Sequence, residues 1–440
     1  MTTRTTTPTA TSWTGALLIE DQTGRMRGVL PWQSVALLGP LLFPGPEPLN
    51  GLEQTGSEFR VADGAVFDSK HHPDDRVSEL GELTDAMFLA PDRFVLVDAS
   101  LFQLVFASIV SDSVQAAGRR GDGPGEFRGS PRLVARVAAG EVAVWDGQHR
   151  RLSVARVVDG QAVVEDAAYD RSLFRSGGTR PVAVYANGAL VIRENRSPST
   201  NMFEAATRQQ GVFRDTLAYW LAEPDGTRRS FTGAMGSEMF SSVSPRGLQA
   251  TARSTSDVMF GALLRQTQVG QHFALAQTDL GVVRVFDRQG GVSAEVPMPV
   301  GARVTDDHID AERNRRRARN DARVKDAERF GGEFARIVAG SSENLDDIPA
   351  NEVAPPIDRV VGDLDGRLWL RLFYPDREIE QWQVWDVSAQ EMLFTLALPV
   401  GEQVLDAVGD RVLVRTQDEF GVDYLLVREM VEANGSEEGR

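Results

Sequence analysis

Three acidic residues recur at one position of a repeated apolar segment. Asp98, Asp146 and Glu194 each end a six-residue strand-like run, and successive runs begin 48 residues apart. Carboxylates from several such runs could converge on Ca²⁺, which prefers oxygen ligands. The same position also suits a carboxylate that caps the turn after a strand. These three residues are therefore candidate metal ligands whose simpler role is to cap turns.

A glycine-rich, charged segment, Gly118–Phe127, joins two predicted strands. Its glycines have neither the spacing of a dinucleotide-binding loop nor the Lys-Ser/Thr ending of a phosphate-binding loop. The segment favours a structural turn in which glycines adopt positive φ. The alternative is a binding surface formed by its charged residues, Arg119, Arg120, Asp122 and Glu126.

Other chemically suggestive residues fit structural roles better. Asp363-x-Asp365-Gly366 begins like a calcium loop, but its glycine is too early and position twelve is Tyr374. We expect a turn stabilised by the Asp363 side chain. None of the five histidines has metal-ligand spacing, and no Gly-x-Ser-x-Gly nucleophile motif occurs. The arginine run 313–319 is flanked by acidic residues and indicates a solvated helical face. The sequence identifies no catalytic residue.

Composition narrows the function classes. The 440-residue chain has 47 basic and 63 acidic residues, a formal net charge of −16, which disfavours binding to nucleic acid. It has no cysteine, so disulfides, iron–sulfur clusters and thiolate zinc sites are excluded.

The elements that carry these residues repeat along the chain. Six short apolar runs follow turns, and neighbouring runs also have strand character. The six runs are Arg93–Asp98, Glu141–Asp146, Ala189–Glu194, Phe273–Thr278, Arg367–Leu372 and Arg411–Thr416. Four short antiparallel strands in about 45 residues make one propeller blade. The repeat therefore predicts an all-β fold, a six-bladed β-propeller of four-stranded antiparallel blades with a helical insertion.

Two long gaps in the rhythm predict insertions at about 195–256 and 303–350. The first holds the strand-like run 215–221 and a polar loop to about 256. The second has a helical pattern over 303–340, with Asp306 and Asp307 able to cap it. Its apolar face would consist of Ala327, Phe330, Phe334, Ile337 and Val338. The last blade lacks a fourth strand, and 58–62 is the natural candidate to complete it.

The sequence resembles bacterial six-bladed β-propeller proteins related to NHL-repeat propellers over about residues 56–430. The resemblance rests on Gly118–Phe127 as the loop between blades, Asp363–Trp369 as the turn before a second strand, and Asp418–Val422 as the closing hairpin. It implies an exported protein. Members are often tethered by a lipid-modified cysteine, which is not carried over because this chain has none.

The domain prediction is a flexible leader at 1–55, a propeller at 56–430 and a polar tail at 431–440. Within the leader, 26–45 has the order of a signal peptide: Met26-Arg27, an apolar core, then prolines and glycine. The alternative is a disordered leader with an incidental apolar patch. The expected location is periplasmic or extracellular if translation starts at Met26, and cytoplasmic otherwise. No integral membrane span is expected, because the apolar core is short and contains prolines.

Two functions remain open. The first is a monomeric, non-enzymatic binding or scaffolding module for a protein or small molecule, with no predicted cofactor. The second is a calcium-dependent hydrolase or lactonase whose ligands converge in the axial channel. An apolar plug in the channel would exclude the second, and a group of converging carboxylates or amides would favour it.

Overall fold

The computed structural model describes residues 57–167, 169–174, 178–196, 211–246, 250–328, 331–332, 345–376 and 378–433. These residues form mainly antiparallel β-strands. The predicted leader 1–55, with its segment 26–45, and residues 434–440 of the predicted tail lie outside the described residues.

The strands follow one another in sets of four, preceded by β1 (Ser57–Asp68). Set 1 is β2 (Leu83–Ala90), β3 (Arg93–Asp98), β4 (Gln103–Ser108) and β5 (Val114–Ala117). Set 2 is β6 (Arg132–Ala138), β7 (Glu141–Asp146), β8 (Arg151–Val158) and β9 (Gln161–Asp166). Set 3 is β10 (Thr179–Val184), β11 (Leu190–Asn195), β12 (Gly211–Ala222) and β13 (Arg228–Arg246), extended by β14 (Ala250–Asp257).

The second half of the chain continues this order. Set 4 is β15 (Leu264–Val269), β16 (His272–Gln277), β17 (Val282–Phe286) and β18 (Val292–Pro297). Set 5 is β19 (Ile357–Gly362), β20 (Arg367–Leu372), β21 (Ile379–Asp386) and β22 (Glu391–Pro399). Set 6 is β23 (Gln403–Val408), β24 (Arg411–Gln417) and β25 (Asp423–Glu432), completed by β1.

Short helices lie between some strands. They are α1 (Asp75–Ser78) and 3-10 turns at Ser69–His71, Arg171–Phe174, Thr278–Leu280 and Leu345–Asp347.

The first strands of the sets meet in a closed ring. β2 contacts β6, β6 contacts β10, β10 contacts β15, β15 contacts β19, β19 contacts β23, and β23 returns to β2. Apolar clusters fill the spaces between neighbouring sets; Val97 and Leu104 of set 1, for example, share one cluster with Val142 and Ala155 of set 2. Antiparallel sheets arranged radially around an axis are a β-propeller.

The six apolar runs predicted from the sequence are confirmed as strands. They coincide, within a residue or two at their ends, with β3, β7, β11, β16, β20 and β24, the second strand of every set. Val95 and Val144, near the middle of two of these runs, are fully buried. Strands buried on both faces are expected to have nearly continuous apolar sequence.

The predicted closure by an N-terminal strand is also confirmed. β1 pairs antiparallel with β25, with Phe59 opposite Glu432 and Val61 opposite Met430. It also pairs in parallel with β22, with Phe59 opposite Leu396, which the sequence did not predict. β1 therefore joins sets 5 and 6 into one eight-stranded sheet. Both of its edges are paired over part of its length, which protects it from pairing with another chain.

The prediction of a polar loop up to about residue 256 is wrong. Residues 228–246 and 250–257 form the long strands β13 and β14, with Phe240 paired to Ser256. Serine, threonine and glycine dominate this segment, so it lacks the apolar alternation that reveals a strand. Backbone pairing along β12 and β14 forms the strands nevertheless. Residues 197–210 of this predicted insertion lie outside the described residues.

The second predicted insertion contains α2 (Asp306–Glu328). Thr305 caps it by accepting a hydrogen bond from the His308 N–H (3.4 Å), whereas Asp306 and Asp307, predicted as caps, lie in the first turn. Ala327 of the predicted apolar face is buried. The remaining members of that face, Phe330, Phe334, Ile337 and Val338, lie outside the described residues.

Candidate ligand-binding site

Asp98 and Asp146 cap turns after β3 and β7. Asp98 Oδ1 accepts hydrogen bonds from the N–H groups of Ser100 (2.9 Å) and Leu101 (3.2 Å). Asp146 Oδ1 accepts from the N–H groups of Gln148 (2.9 Å) and His149 (3.0 Å). The second oxygen of each carboxylate reaches the chain just before the first strand of the same set: Gly81 N–H donates to Asp98, and Arg128 N–H to Asp146. This is the turn-capping role expected for this position.

Glu194, the third metal-ligand candidate, is held differently. It lies within β11, and its Oε2 accepts a hydrogen bond from the indole N–H of Trp220 (2.8 Å). Each of the three carboxylates is therefore engaged by neighbours in its own set. Within the described segments, no group of three or more His, Asp or Glu side chains could hold a metal ion.

The glycine-rich loop 118–127 has the conformation expected of a structural turn. Phe127 is fully buried between sets 1 and 2, and the loop closes with hydrogen bonds from Phe127 N–H to Arg119 O (2.8 Å) and from Gly121 N–H to Phe127 O (3.0 Å). Gly118 has a φ of +95°, and a Cβ there would lie 2.6 Å from the Phe127 ring. Only glycine fits this position without strain.

The four charged residues of this loop, predicted as a binding surface, contact neighbouring side chains. Arg119 pairs with Glu126 (2.7 Å), and Asp122 accepts from Arg128 (2.8 Å) and contacts His149 (2.7 Å). The Arg120 guanidinium lies 5.5 Å from the centre of the Phe102 ring. The Gly123 N–H and Arg119 hold the pKa of Glu126 below its usual value. Each of the four charged side chains therefore has a partner within the protein.

Asp363 stabilises its own turn, as predicted. Its Oδ1 accepts from Arg367 N–H (2.7 Å), and its Oδ2 accepts from the indole N–H of Trp369 (2.8 Å). Both carboxylate oxygens are therefore occupied within the turn.

A cavity of about 750 Å³ lies on the axis of the ring, towards the amino-terminal ends of the first strands. Each of the six first strands contributes at least one polar residue to the wall of the cavity. These residues include Asp85, Arg132, Arg180, Gln266, Arg359 and Asp406. Five arginines and two aspartates line the whole cavity. The cavity is thus cationic inside a chain with a net charge of −16.

Two of these arginines form a like-charge pair. Arg180 on β10 and Arg193 on β11 are directly opposed in the antiparallel register, and Arg193 is opposed in turn by Tyr219 on β12. Within the described ranges, neither guanidinium has a hydrogen-bond or ion-pair partner, and the buried Arg193 Nε is unsatisfied. Like charges directly opposed across strands are destabilising.

The surroundings of the two arginines disfavour their charged forms. Burial, together with repulsion from Arg193 and Arg132, lowers the pKa of Arg180 to about 10. Burial also lowers the pKa of Arg193 and raises the pKa of Tyr219 above its usual value. Because an arginine side chain stays protonated in proteins, both arginines are charged at neutral pH, and the phenol, whose pKa is raised, is neutral. The Tyr219 hydroxyl donates to Gln266 Oε1 (2.7 Å).

Two other sets show how the protein neutralises an arginine at the same position. Arg193, Arg371 and Arg415 are each the fifth residue of the predicted apolar run of their set. Arg371 is paired with both carboxylate oxygens of Asp358 (2.6 and 2.8 Å), and Arg415 with both of Asp423 (2.9 Å each). Arg193 lacks such a carboxylate among the residues that the structure describes.

Two aspartates from sets 1 and 6 also line the cavity. Burial raises the pKa of Asp85 to about 6, which attraction to Arg359 only partly offsets. Burial likewise raises the pKa of Asp406 to about 6, although Arg136 pairs with it and the Phe88 N–H donates to its Oδ2 (2.6 Å). The two carboxyls also repel each other. The cavity therefore contains both cationic and titratable acidic groups.

The sequence analysis did not identify Arg180, Arg193, Asp85 or Asp406. One signal was present: Arg193 interrupts the apolar run Leu190–Ile192 in a strand expected to be buried on both faces. The register that opposes it to Arg180 was not visible, because it depends on a bulge between Pro181 and Ala183.

Comparison with known proteins gives similarity to solved structures only. No protein-family model and no curated protein matches the sequence. Regucalcin, a calcium-binding protein from Agrobacterium tumefaciens, is 11% identical with a TM-score of 0.34, over 85% of this chain and 96% of that chain. A luciferin-regenerating enzyme is 11% identical with a TM-score of 0.36, over 81% and 94%. The β-propeller domain of the Trilobed protease from Pyrococcus furiosus is 9% identical with a TM-score of 0.31, over 80% and 96%.

In the described part of the chain, no helix has the length and apolar character required to cross a bilayer.

Proposed function

We propose that this chain is a six-bladed β-propeller that acts as a binding module for a small anionic ligand held in the axial cavity. The closed ring of β2, β6, β10, β15, β19 and β23 supports the number of blades. One observation carries the function: Arg180 and Arg193 are opposed on the cavity wall without a counter-charge among the described residues.

An anionic ligand would offset the cost of such a pair. The pair costs about 0.2–1 kcal/mol in the free protein if it behaves like other opposed like charges. A carboxylate, phosphate or sulfate between the two guanidiniums would remove the repulsion and accept charge-assisted hydrogen bonds from both. Arginine suits this role because its planar donors match the oxygens of such groups. Arg132 adds a third positive charge at the same wall.

The calcium-dependent hydrolase remains a prediction with less support. Asp98 and Asp146 are engaged in turns, and the cavity wall presents more arginines than carboxylates. Cationic surroundings disfavour a divalent cation by electrostatic repulsion.

A thermal-shift experiment distinguishes the two functions. Sodium sulfate and sodium chloride are compared at equal ionic strength on the wild-type chain, on the double variant R180Q/R193Q and on R284Q. Arg284 pairs with Glu295 (3.1 Å) on the surface and does not line the cavity, so R284Q is the matched control. Because sulfate stabilises proteins non-specifically, only the difference between variants reports the site.

We expect sulfate to raise the Tm of the wild type and of R284Q more than that of R180Q/R193Q, because a ligand that binds only the folded state stabilises it. Equal sulfate responses in all three proteins would contradict the anion site. A Tm that rises with calcium chloride and falls with a chelator would favour the hydrolase instead.

Export and the monomeric state are also proposals. Export rests on the order of residues in 26–45, which lie outside the described residues. Mass spectrometry of the mature amino terminus tests it: an intact Met1 on cytoplasmic protein would contradict export.

A further inference from the structure

A second cavity adjoins the first on the ring axis. Its volume is about 360 Å³, and it lies at the carboxyl-terminal ends of the first strands. The two cavities share Met87, Val134, Thr267, Gln268 and Gly362 as lining residues, so their spaces adjoin at this belt of side chains and backbone.

Most polar side chains that line the second cavity already form hydrogen bonds within the protein. Gln268 donates from Nε2 to Val184 O (2.9 Å) and accepts at Oε1 from Val184 N–H (2.7 Å). Gln271 Oε1 accepts from Ala186 N–H (3.0 Å), and Asp363 is engaged in its own turn. Arg136 donates to Phe88 O (2.7 Å) and pairs with Asp406.

The surface that remains for a ligand is therefore mainly apolar. It includes Met87, Leu89, Val134, Val137, Ala138 and Leu364. The first cavity differs, because its Arg180 and Arg193 lack partners among the described residues. The axis thus offers unpaired cations at one end and apolar surface at the other.

We propose that the ligand is an amphiphilic anion, with a carboxylate or phosphate head between Arg180 and Arg193 and an apolar tail extending into the second cavity. This inference rests on the proposed anion site. From Arg180 to Val184, whose backbone binds the side chain of the shared lining residue Gln268, β10 advances by up to about 13 Å, which suits a tail of medium length. Burying that tail contributes affinity through the hydrophobic effect, while the head fixes its orientation.

The test is isothermal titration of the full chain with sodium butanoate, hexanoate, octanoate and decanoate, below their micelle concentrations and at constant ionic strength. We expect the affinity to rise by up to about fourfold for each added methylene group, since a fully buried methylene contributes about 0.8 kcal/mol. Octyl phosphate is compared with the carboxylates to test the phosphate head group. Octanol, which is uncharged, tests whether binding requires the charge.

Two variants separate the head from the tail. A138W places an indole in the second cavity from a position that is exposed on β6, and A389W makes the same change in the exposed turn after β21 as a control. We expect A138W to bind butanoate like the wild type but to lose the gain in affinity with chain length, and A389W to keep it. R180Q/R193Q should lose affinity for every anion in the series.

The outcomes distinguish this inference from the function on which it rests. Butanoate binding that depends on Arg180 and Arg193, with no gain for longer chains, would overturn the amphiphile and leave the anion site intact. Octanol binding as tightly as octanoate would overturn the assignment of the head. If neither sulfate nor any carboxylate binds, both proposals fail.

Discussion

Arg180 and Arg193 stand opposite each other across β10 and β11, and no carboxylate in the described part of the chain neutralises them. Such a pair destabilises a sheet, because cross-strand like charges repel. At the equivalent place in set 5, Arg371 is neutralised by Asp358. The unneutralised pair is therefore a local instability on the wall of the axial cavity, which is typical of a binding site.

Replacing Arg180 by glutamine should stabilise the protein while weakening anion binding. R180Q removes the repulsion and should raise the free energy of unfolding by about 0.2–1 kcal/mol. Urea denaturation measures it. The matched variant is R415Q, which should destabilise the fold by about 1–3 kcal/mol, because Arg415 is opposed by Gln403 and Asp423 loses its bidentate partner. Loss of stability in both variants would show that Arg180 has a structural role.

The comparison of these arginines shows what the sequence could and could not predict. The fifth residue of the apolar run is visible in the sequence as arginine in three sets. Which of the three finds a carboxylate depends on residues 8 to 13 positions away in other strands, as with Asp423 for Arg415 and Asp358 for Arg371. Apolar periodicity determines a strand locally, whereas charge neutralisation depends on register and on packing between strands.

The same distinction explains which strands could be predicted from the sequence and which could not. The second strands were predictable because their central residues are buried on both faces and are mostly apolar. β13 and β14 were not, because backbone pairing forms them with few apolar residues. The closing role of 58–62 followed from counting strands, but the parallel pairing of β1 with β22 left no sequence signal.

Closure by β1 should make a large contribution to stability. Phe67 of β1 is buried and its ring lies 5.0 Å from that of Phe94, so it ties set 6 to set 1. F67A should lower the free energy of unfolding by about 3–5 kcal/mol, as is usual for a buried phenylalanine. V66A, at the adjacent exposed residue, is the control and should change stability little. Comparable urea midpoints for F67A and V66A would contradict the closing role.

Replacing Gly118 should lower stability for two reasons, backbone strain and a steric clash with Phe127. G118A forces a positive φ on alanine, which costs about 1–2 kcal/mol, and sets a methyl group against the Phe127 ring. Gly140 also has a positive φ (+76°) but has nothing within 4 Å of an added Cβ. G140A therefore measures the backbone strain alone. Thermal unfolding should show a larger loss for G118A, and equal losses would show that Phe127 moves aside at little cost.

The raised pKa of Asp85 makes both stability and anion binding depend on pH. Between the unfolded value of 3.8 and the folded value of about 6, the folded state binds more protons, so the contribution of this group to stability falls as pH rises through this range and is level above it. Asp406, whose pKa is also raised to about 6, acts in the same direction. D85N should remove part of this slope in urea titrations between pH 4 and 7.

Anion affinity should fall as pH rises, because Asp85 loses its proton and becomes negatively charged. The charged groups that act on Asp85 are Arg359 and Asp406, and no histidine lines the cavity within the described residues. Protonation of Asp85 below pH 6 removes a negative charge from the cavity, so sulfate, which does not titrate in this range, should bind more tightly at pH 5 than at pH 7.5. D85N should bind sulfate more tightly at pH 7.5 and show a smaller pH dependence, with Asp406 supplying the remainder. If titration calorimetry gives the same pH dependence for D85N and the wild type, Asp85 does not control the charge of the site.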